Sequence, residues 1–196
     1  MKEEKVIVSL IIVAAGKSER FGEDKLMVKV LGKSLLAHLL DSVERLDEID
    51  EVILVTKEKL FDFAERILSR LQKPWKIVKG GKTRQDSVFL GLLAAKGDIV
   101  LIHDAARPIL DRRLLKRLLE ALTTYPAVVP VIPVTDTLRK SIGEGILGEV
   151  VKRENLYRVQ TPQGFKREIL LSAYKEVDEK RAKFTDDSTL LEETLG

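Results

Sequence analysis

Apolar, β-branched runs alternate along the chain with segments in which apolar residues recur at helical spacing. The apolar runs predict buried strands, and the helical spacing predicts amphipathic helices. The predicted strands span residues 6–13, 52–56, 75–78, 99–102 and 127–134, and the predicted helices span residues 34–46, 60–71, 86–95, 114–122, 168–177 and 189–195. This alternation predicts an α/β fold with right-handed crossovers, a mostly parallel sheet and helices on both faces.

The alternation breaks after residue 134. Residues 135–155 contain three glycines, Gly143, Gly145 and Gly148, and two short alternating runs, 137–141 and 146–152, which predicts a β-hairpin that projects from the domain. An isolated two-stranded hairpin is marginally stable in water and needs a partner surface. Homodimers mostly have two-fold symmetry, so we expect 135–155 to be a dimerisation arm of a single domain that spans 1–196.

Composition narrows the functional classes. The chain is 44% apolar and 33% charged, which excludes a disordered or collagen-like protein. The net charge of +3 disfavours a nucleic-acid partner. Cysteine is absent and only His38 and His103 are histidines, which excludes disulfides, cysteine-containing zinc sites and histidine-rich metal sites. The apolar run at the start is too short to span a membrane and has no cleavage site, so we expect a cytoplasmic protein.

In a parallel α/β sheet, ligands bind outside the carboxyl ends of the strands. Three Gly-Lys-Ser/Thr triplets, at 16–18, 32–34 and 81–83, lack the earlier glycine of a P-loop. The dinucleotide fingerprint also fails, because Ser18 stands where its second glycine belongs. These mismatches argue against a P-loop enzyme and against a dinucleotide-dependent oxidoreductase.

The segment 14–25 follows the first predicted strand and opens with Ala-Ala-Gly. Small residues let the backbone approach a bulky anion, and their N–H groups can bind phosphate oxygens. Three cations that can balance a triphosphate follow within the segment: Lys17, Arg20 and Lys25. The residues therefore leave two interpretations open, a triphosphate site or a solvated loop with ordinary surface charge.

Two further segments follow predicted strands. Asp104 stands where a carboxylate can hold Mg²⁺, and Arg107 can bind a phosphate, although the pair can equally be a helix cap with its ion-pair partner. The glycines at 80 and 81 permit close approach of a base or ribose, with Ser87 at the start of a helix; a turn with Asp86 as the N-cap is the alternative. Residues 161–165 can be a plain turn, and 186–188 can cap the last helix.

Together these segments resemble 2-C-methyl-D-erythritol 4-phosphate cytidylyltransferases of the non-mevalonate isoprenoid pathway. The matching segments occur in one order over nearly the whole chain: AAGKSERFGEDK (14–25), GGKTRQDSVFLGL (80–92), HDAARP (103–108), PVTDTLR (133–139) and the pair QTPQGF (160–165) and TDDST (185–189). The resemblance implies a Rossmann-like fold of the nucleotidyltransferase type and an enzyme that transfers CMP from CTP to 2-C-methyl-D-erythritol 4-phosphate, releasing pyrophosphate.

The resemblance also implies roles for individual residues. Arg20 and Lys25 would be catalytic. The nucleotide would be bound by Ala14, Ala15, Gly16, Gly81, Lys82 and Ser87. The sugar phosphate would be bound by Asp104, Arg107, Thr137, Arg153 and Thr161, and Asp104 would ligate Mg²⁺ or another divalent cation. The family is homodimeric, so Thr137 and Arg153 would serve the partner's site.

The resemblance has two departures. Asp24 stands where the family usually has Pro, and the family normally continues beyond residue 196 with a closing strand and a short helix that carry a substrate-binding lysine. Two alternative functions stay open: a cytidylyltransferase for another polyol phosphate, such as ribitol 5-phosphate, and a nucleotide-binding regulatory domain without turnover.

Overall fold

The computed structural model describes residues 5–16, 24–177, 184 and 186–195. The described strands are β1 Val8–Val13, β2 Lys29–Val30, β3 Lys33–Ser34, β4 Glu51–Thr56, β5 Trp75–Lys79, β6 Ile99–Asp104, β7 Ala127–Val128, β8 Val131–Pro133, β9 Leu138–Ser141, β10 Leu147–Val151, β11 Tyr157–Val159 and β12 Gln163–Lys166. The described α-helices are α1 Leu35–Glu44, α2 Phe61–Leu68, α3 Arg84–Ala94, α4 Arg112–Leu122, α5 Arg167–Val177 and α6 Asp187–Leu195, and a short 3₁₀ helix spans Glu58–Leu60.

The main sheet has six strands in the order β5-β4-β1-β6-β12-β7. The first four are parallel, with β1 between β4 and β6. Val13 pairs with Val55 on one side and with Asp104 on the other, so the carboxyl ends of these strands lie at one edge. The chain order of the parallel strands reverses around β1, which is where such sheets bind ligands.

Helices cover both faces of the sheet, as the sequence predicts. Successive side chains of a strand point to opposite faces, and β1 accordingly sends Leu10 and Ile12 into one core and Ile11 into the other. Helices α1, α2 and α4 pack on the first face, and α3, α5 and α6 pack on the second. The predicted α/β fold class is confirmed.

Two predictions around residues 127–166 are wrong. The single strand predicted over 127–134 is divided: β7 joins the main sheet, whereas β8 pairs antiparallel with β11. The plain turn offered for residues 161–165 is wrong for the last three of them, which belong to β12, and β12 runs antiparallel between β6 and β7. A four-residue strand that begins with Gln-Gly has little alternation to signal it, and its long-range pairing decides its structure.

The predicted hairpin within 135–155 is present as β9 and β10, which form a two-stranded antiparallel sheet of their own. The pair β8 and β11 forms a second two-stranded sheet at its base. Apolar side chains of both pairs are exposed, including Ile132, Val150 and Tyr157. Residues 135–155 are the arm of the domain.

Candidate active site

A cavity of about 180 Å³ opens at the carboxyl ends of β1 and β6. The backbone builds its walls: the Ala14 N–H donates to the Val55 carbonyl at 2.8 Å, and the Ala105 N–H donates to the Val13 carbonyl at 3.1 Å. Its lining residues are Val13, Ala14, Gly16, Asp24, Lys25, Leu26, Ala105 and Ala106. Small side chains on both strand ends leave room for a ligand, and Lys25 supplies a cation beside it.

The cavity therefore unites Ala14, Gly16 and Lys25, three of the residues proposed for the nucleotide and its phosphates. Arg20, the other residue proposed as catalytic, lies outside the described residues, as does Lys17. Ala15 is not among the residues that line the cavity, and it contacts Gly80 in the segment that follows β5.

Gly80 brings that segment against the end of β1. A Cβ at position 80 would lie 2.1 Å from the Ala15 Cβ, so only glycine fits there without displacing the backbone. The next residue is equally tight, since a Cβ at Gly81 would lie 2.3 Å from the Asp86 Cβ. The Gly-Gly pair is thus required by packing, and it places residues 80–81 beside the cavity.

Ser87 holds this turn in place from the first turn of α3. Its buried hydroxyl accepts a hydrogen bond from the Gly81 N–H at 3.1 Å and donates to the Thr83 carbonyl at 2.9 Å. The N-cap of α3 is Thr83, not Asp86, and the two form a capping box. Lys82, the remaining residue proposed for the nucleotide, is exposed on the same turn.

Asp104 ends β6 with a partly exposed carboxylate between two guanidinium groups. Arg84 Nη2 lies 3.5 Å from its Oδ1, and Arg107 Nε lies 3.7 Å from its Oδ2. Arg107 also donates to the side-chain oxygen of Gln160. The structure thus brings Asp104 and Arg107 together, and it adds Arg84, a residue that the sequence analysis missed.

Arg84 is anchored by a carboxylate that is fully buried. Its Nη1 donates to Asp187 Oδ2 at 2.8 Å, and the Tyr174 hydroxyl donates to the other Asp187 oxygen at 2.6 Å. Burial lowers the pKa of the Arg84 guanidinium, but the charges of Asp187 and Asp104 outweigh it, so the pKa is raised above its ordinary value. Arg84 stays charged and connects α6 to the site.

Asp186 and Asp187 therefore have different structural roles. Asp186 caps α6, because its Oδ1 accepts hydrogen bonds from the Thr189 N–H at 2.9 Å and the Thr189 hydroxyl at 2.8 Å. Burial raises the pKa of Asp186, but these hydrogen bonds outweigh it and the pKa is lowered. The N-cap predicted for this cluster is confirmed at Asp186, whereas Asp187 faces Arg84.

His103 and Thr161 join the two loops that flank Asp104. The Thr161 Oγ1 lies 3.1 Å from His103 Nδ1 and accepts the Asp104 N–H at 3.3 Å. His103 Nε2 lies 2.8 Å from the Arg107 carbonyl. Burial is the largest effect on the pKa of His103 and lowers it. The hydrogen bond to the Arg107 carbonyl and the charge of Asp104 raise this pKa, and the charge of Arg107 lowers it further. Together these effects leave the pKa of His103 below its ordinary value. The His103 side chain is completely buried.

Thr137 and Arg153, the two residues proposed to serve a partner's site, lie on the arm rather than in the crevice. Both are exposed, and Arg153 donates to the Thr135 carbonyl. Because β9 and β10 pair only with each other in the sheets described, this one chain does not build the arm into the wall of the cavity.

Two further properties concern only the part of the chain that the structure describes. It contains no cluster of three or more His, Asp or Glu side chains that could hold a metal ion. It also contains no helix with both the length and the apolar character of a membrane span.

Comparisons with known proteins show which sequences the chain is similar to. The bifunctional enzyme IspD/IspF of Rhizorhabdus wittichii is 42% identical over 92% of this chain, which spans 47% of that protein. The 2-C-methyl-D-erythritol 4-phosphate cytidylyltransferase of Halalkalibacterium halodurans is 38% identical over 94% of this chain and 82% of its own length. The chain thus spans about half of the first relative and about four fifths of the second.

Solved structures give the same result. The 4-diphosphocytidyl-2C-methyl-D-erythritol synthase of Anaerococcus prevotii superimposes with a TM-score of 0.83 at 32% identity, over 96% of this chain and 82% of that one. The cytidylyltransferase of Thermus thermophilus superimposes with a TM-score of 0.76 at 34% identity, over 97% and 85%. A family model matches residues 8–196, and the chain therefore belongs to the 2-C-methyl-D-erythritol 4-phosphate cytidylyltransferase (IspD) family.

Proposed function

We propose that this protein transfers CMP from CTP to 2-C-methyl-D-erythritol 4-phosphate. The observation that carries the proposal is the cavity in which Lys25 and the backbone of Ala14 and Gly16 lie at the end of β1, next to the strand that ends at Asp104. A phosphate group of CTP fits the small residues and the cation, and the second substrate then approaches from the side of Asp104 and Arg107.

The reaction is an in-line displacement at the α-phosphorus of CTP. A phosphate oxygen of the sugar phosphate forms the new P–O bond, and the bond to the leaving pyrophosphate breaks. The attacking oxygen is already anionic, so no general base is required, and catalysis consists of positioning and charge neutralisation. Lys25 supplies positive charge at the transferred phosphate, and we assign the same role to Arg20.

The residues proposed to bind the base and ribose of CTP form a surface that is complementary to them in shape. Gly80 and Gly81 give the base and ribose a surface without side chains, and Ser87 fixes that surface by its hydrogen bond to the Gly81 N–H. Arg107 binds the phosphate of the sugar substrate with its guanidinium fork. Thr161 orders the loop on which Arg107 lies, through its contact with His103.

The donor set at Asp104 fits Mg²⁺. Mg²⁺ is commonly held by one or two carboxylates together with substrate phosphates, and Asp104 presents one partly exposed carboxylate at the crevice. Arg84 and Arg107 lie beside it, so phosphate oxygens would have to supply most of the remaining ligands. When bound, the cation supplies positive charge to the phosphates and orients them.

The proposal includes a homodimer in the cytoplasm. The arm exposes apolar side chains on a two-stranded sheet that has no core of its own, among them Ile142, Leu147 and Val150. Such a surface gains stability when a second copy covers it. Exchange of identical arms around a two-fold axis would bring Thr137 and Arg153 of one subunit to the sugar-phosphate end of the other site.

Pyrophosphate release tests the function. The purified chain is incubated with each of the four ribonucleoside triphosphates and with either 2-C-methyl-D-erythritol 4-phosphate or ribitol 5-phosphate. We expect release with CTP and the erythritol phosphate. Release of pyrophosphate only with ribitol 5-phosphate would show that ribitol 5-phosphate is the substrate. Binding of a nucleotide without release of pyrophosphate would favour a regulatory domain.

Asp104→Asn tests the metal assignment. The substitution keeps the shape of the side chain, so the melting temperature should change little, while the Mg²⁺ concentration for half-maximal rate should rise. Mn²⁺ binding in the presence of CTP, followed by electron paramagnetic resonance, gives a readout that does not depend on turnover. Unchanged Mn²⁺ affinity in the variant would remove Asp104 from the metal site.

A further inference from the structure

Lys25 lies between two residues whose side chains are both buried. The Asp24 side chain is 6% exposed and Leu26 is 3% exposed, and all three residues line the cavity. A residue with an anchor on each side has few positions available, which is the condition for a preorganised charge in a binding site.

The anchor after Lys25 is hydrophobic. Leu26 packs in the core that α1 forms on β1, and its carbonyl accepts the Leu36 N–H at 3.4 Å. The Met27 N–H donates to the Asp24 carbonyl at 2.9 Å and closes a turn around Lys25. The carboxyl side of this turn is therefore fixed to the body of the domain.

The anchor before Lys25 is an ion pair. Lys57 Nζ lies 3.0 Å from Asp24 Oδ2, and the Lys57 side chain is 27% exposed. Lys57 directly follows β4, whose last residues pair with β1. The ion pair therefore ties the Lys25 turn to the strand ends that form the cavity.

Burial makes this pair different from the surface ion pairs of the chain. Lys33 and Asp41 also form an ion pair, at 2.7 Å, but their side chains are 57% and 47% exposed. An exposed pair is screened by water and exchanges partners readily. A carboxylate that is almost wholly buried cannot give up its counter-charge without a large desolvation penalty, so the Asp24–Lys57 contact persists.

We propose that Lys57 and Asp24 are positioning residues, whose ion pair holds Lys25 at the phosphate that is transferred. This inference rests on the function proposed above, and it assigns to Lys57 no contact with substrate. Its ammonium serves to neutralise and hold Asp24. The competing role for a lysine at the rim of this crevice is direct binding of a phosphate of CTP.

Single and double substitutions distinguish the two roles. Lys57→Met removes the charge at similar length, and Asp24→Asn removes the carboxylate charge at equal size. If the pair positions Lys25, each change should lower kcat about tenfold or more, because small displacements of a catalytic charge are costly, and should change the KM for CTP less than threefold. The double variant should lose no more than the single variants, and Lys57→Arg should retain most of the rate.

The direct-binding role gives the opposite pattern. Lys57→Met would then raise the KM for CTP, while Asp24→Asn would leave the rate intact because the ammonium would still be present. That result, or full kcat in both single variants, overturns the proposal. Lys33→Met breaks the exposed pair and is the matched control, with wild-type kinetics expected.

Two further measurements are the thermal stability of the variants and the turnover of the wild type. Thermal melts of the four combinations give a coupling between positions 24 and 57 without any assay of activity, and a coupling near zero overturns the ion pair itself. If Lys57→Met does not fold, Asp24→Asn and the double variant still make the comparison. Failure of the wild type to release pyrophosphate from CTP contradicts the proposed function, whereas wild-type turnover with unaffected variants contradicts only the positioning role.

Discussion

The Thr161 hydroxyl and the His103 imidazole lie 3.1 Å apart, across the loops that flank Asp104. The Arg107 carbonyl can only accept, so His103 Nε2 carries the proton and donates to it. In the neutral ring Nδ1 then accepts from Thr161, whose oxygen is left to accept the Asp104 N–H. The chain of hydrogen bonds is complete only while His103 is uncharged, which gives it a pH dependence.

Acid should destabilise the protein through His103. Its pKa in the folded state is lowered from 6.5 by burial, so the unfolded state binds a proton more readily. The free energy of unfolding should be independent of this group well above pH 6.5 and should fall below that pH, by up to about 1.4 kcal/mol per pH unit, until the lowered pKa is reached.

Denaturant titrations at a series of pH values between 7.5 and 5 measure how the free energy of unfolding depends on pH. His103→Gln should be less stable at neutral pH but should show a flatter profile. His38→Gln changes the other histidine and shows whether the slope belongs to position 103. Equal slopes in the wild type and His103→Gln would contradict the assignment.

Asp187→Ala should cost about 3–5 kcal/mol of unfolding free energy, because it leaves the partly buried Arg84 and the Tyr174 hydroxyl without their common partner. Asp41→Ala removes the carboxylate of an exposed ion pair and should cost less than about 1 kcal/mol. Denaturant titrations of both variants make the comparison. Similar losses would show that the buried pair does not stabilise the fold more than a surface pair does.

Gly80→Ala should destabilise the protein by about 1–3 kcal/mol, since the new Cβ would lie 2.1 Å from that of Ala15. Gly16→Ala is the matched control, because no described atom lies within 4 Å of the Cβ that it adds. Its stability should stay within about 0.5 kcal/mol of the wild type. Melting temperatures measure both, and an unaffected Gly80→Ala would refute the requirement for close approach.

Lys25→Met should lower kcat by about 10²–10³-fold and raise the KM for CTP far less, as expected for a charge that acts mainly in the transition state. Lys29→Met changes an exposed lysine on β2 and should have wild-type kinetics. Steady-state rates over a range of CTP concentrations separate the two constants. A fall of less than threefold at saturating CTP would exclude a catalytic role for Lys25.

A mixture of two inactive chains tests the proposed exchange of arms. Arg153→Ala and Asp104→Asn should each be nearly inactive alone. In a heterodimer, one site receives intact Asp104 from one chain and intact Arg153 from the other, so random pairing should restore about a quarter of all sites. Native mass spectrometry verifies the heterodimer, and its presence without recovered activity would falsify a shared site.

Local patterns in the sequence were sufficient to predict the four parallel strands of the sheet and the position of the cavity. Buried parallel strands are nearly continuous apolar runs, so they can be recognised from the local order of the residues. Once β1 is recognised, sheet geometry places Ala14 and Gly16 at the ligand edge. The residues of the 103–108 segment follow β6 in the same way, so Asp104 and Arg107 could also be proposed in advance.

Tertiary structure alone decided the ion-pair partners of Arg84 and Asp24. Arg84 and Asp187 are 103 positions apart, and Asp24 and Lys57 are 33 apart, so no local periodicity relates them. Which carboxylate a cation meets depends on how helices and loops pack, and burial then makes the chosen pair strong. The same reason explains β12: residues Gln163–Lys166 form a strand because β6 and β7 offer hydrogen bonds on both sides, a condition that exists only after the chain has folded.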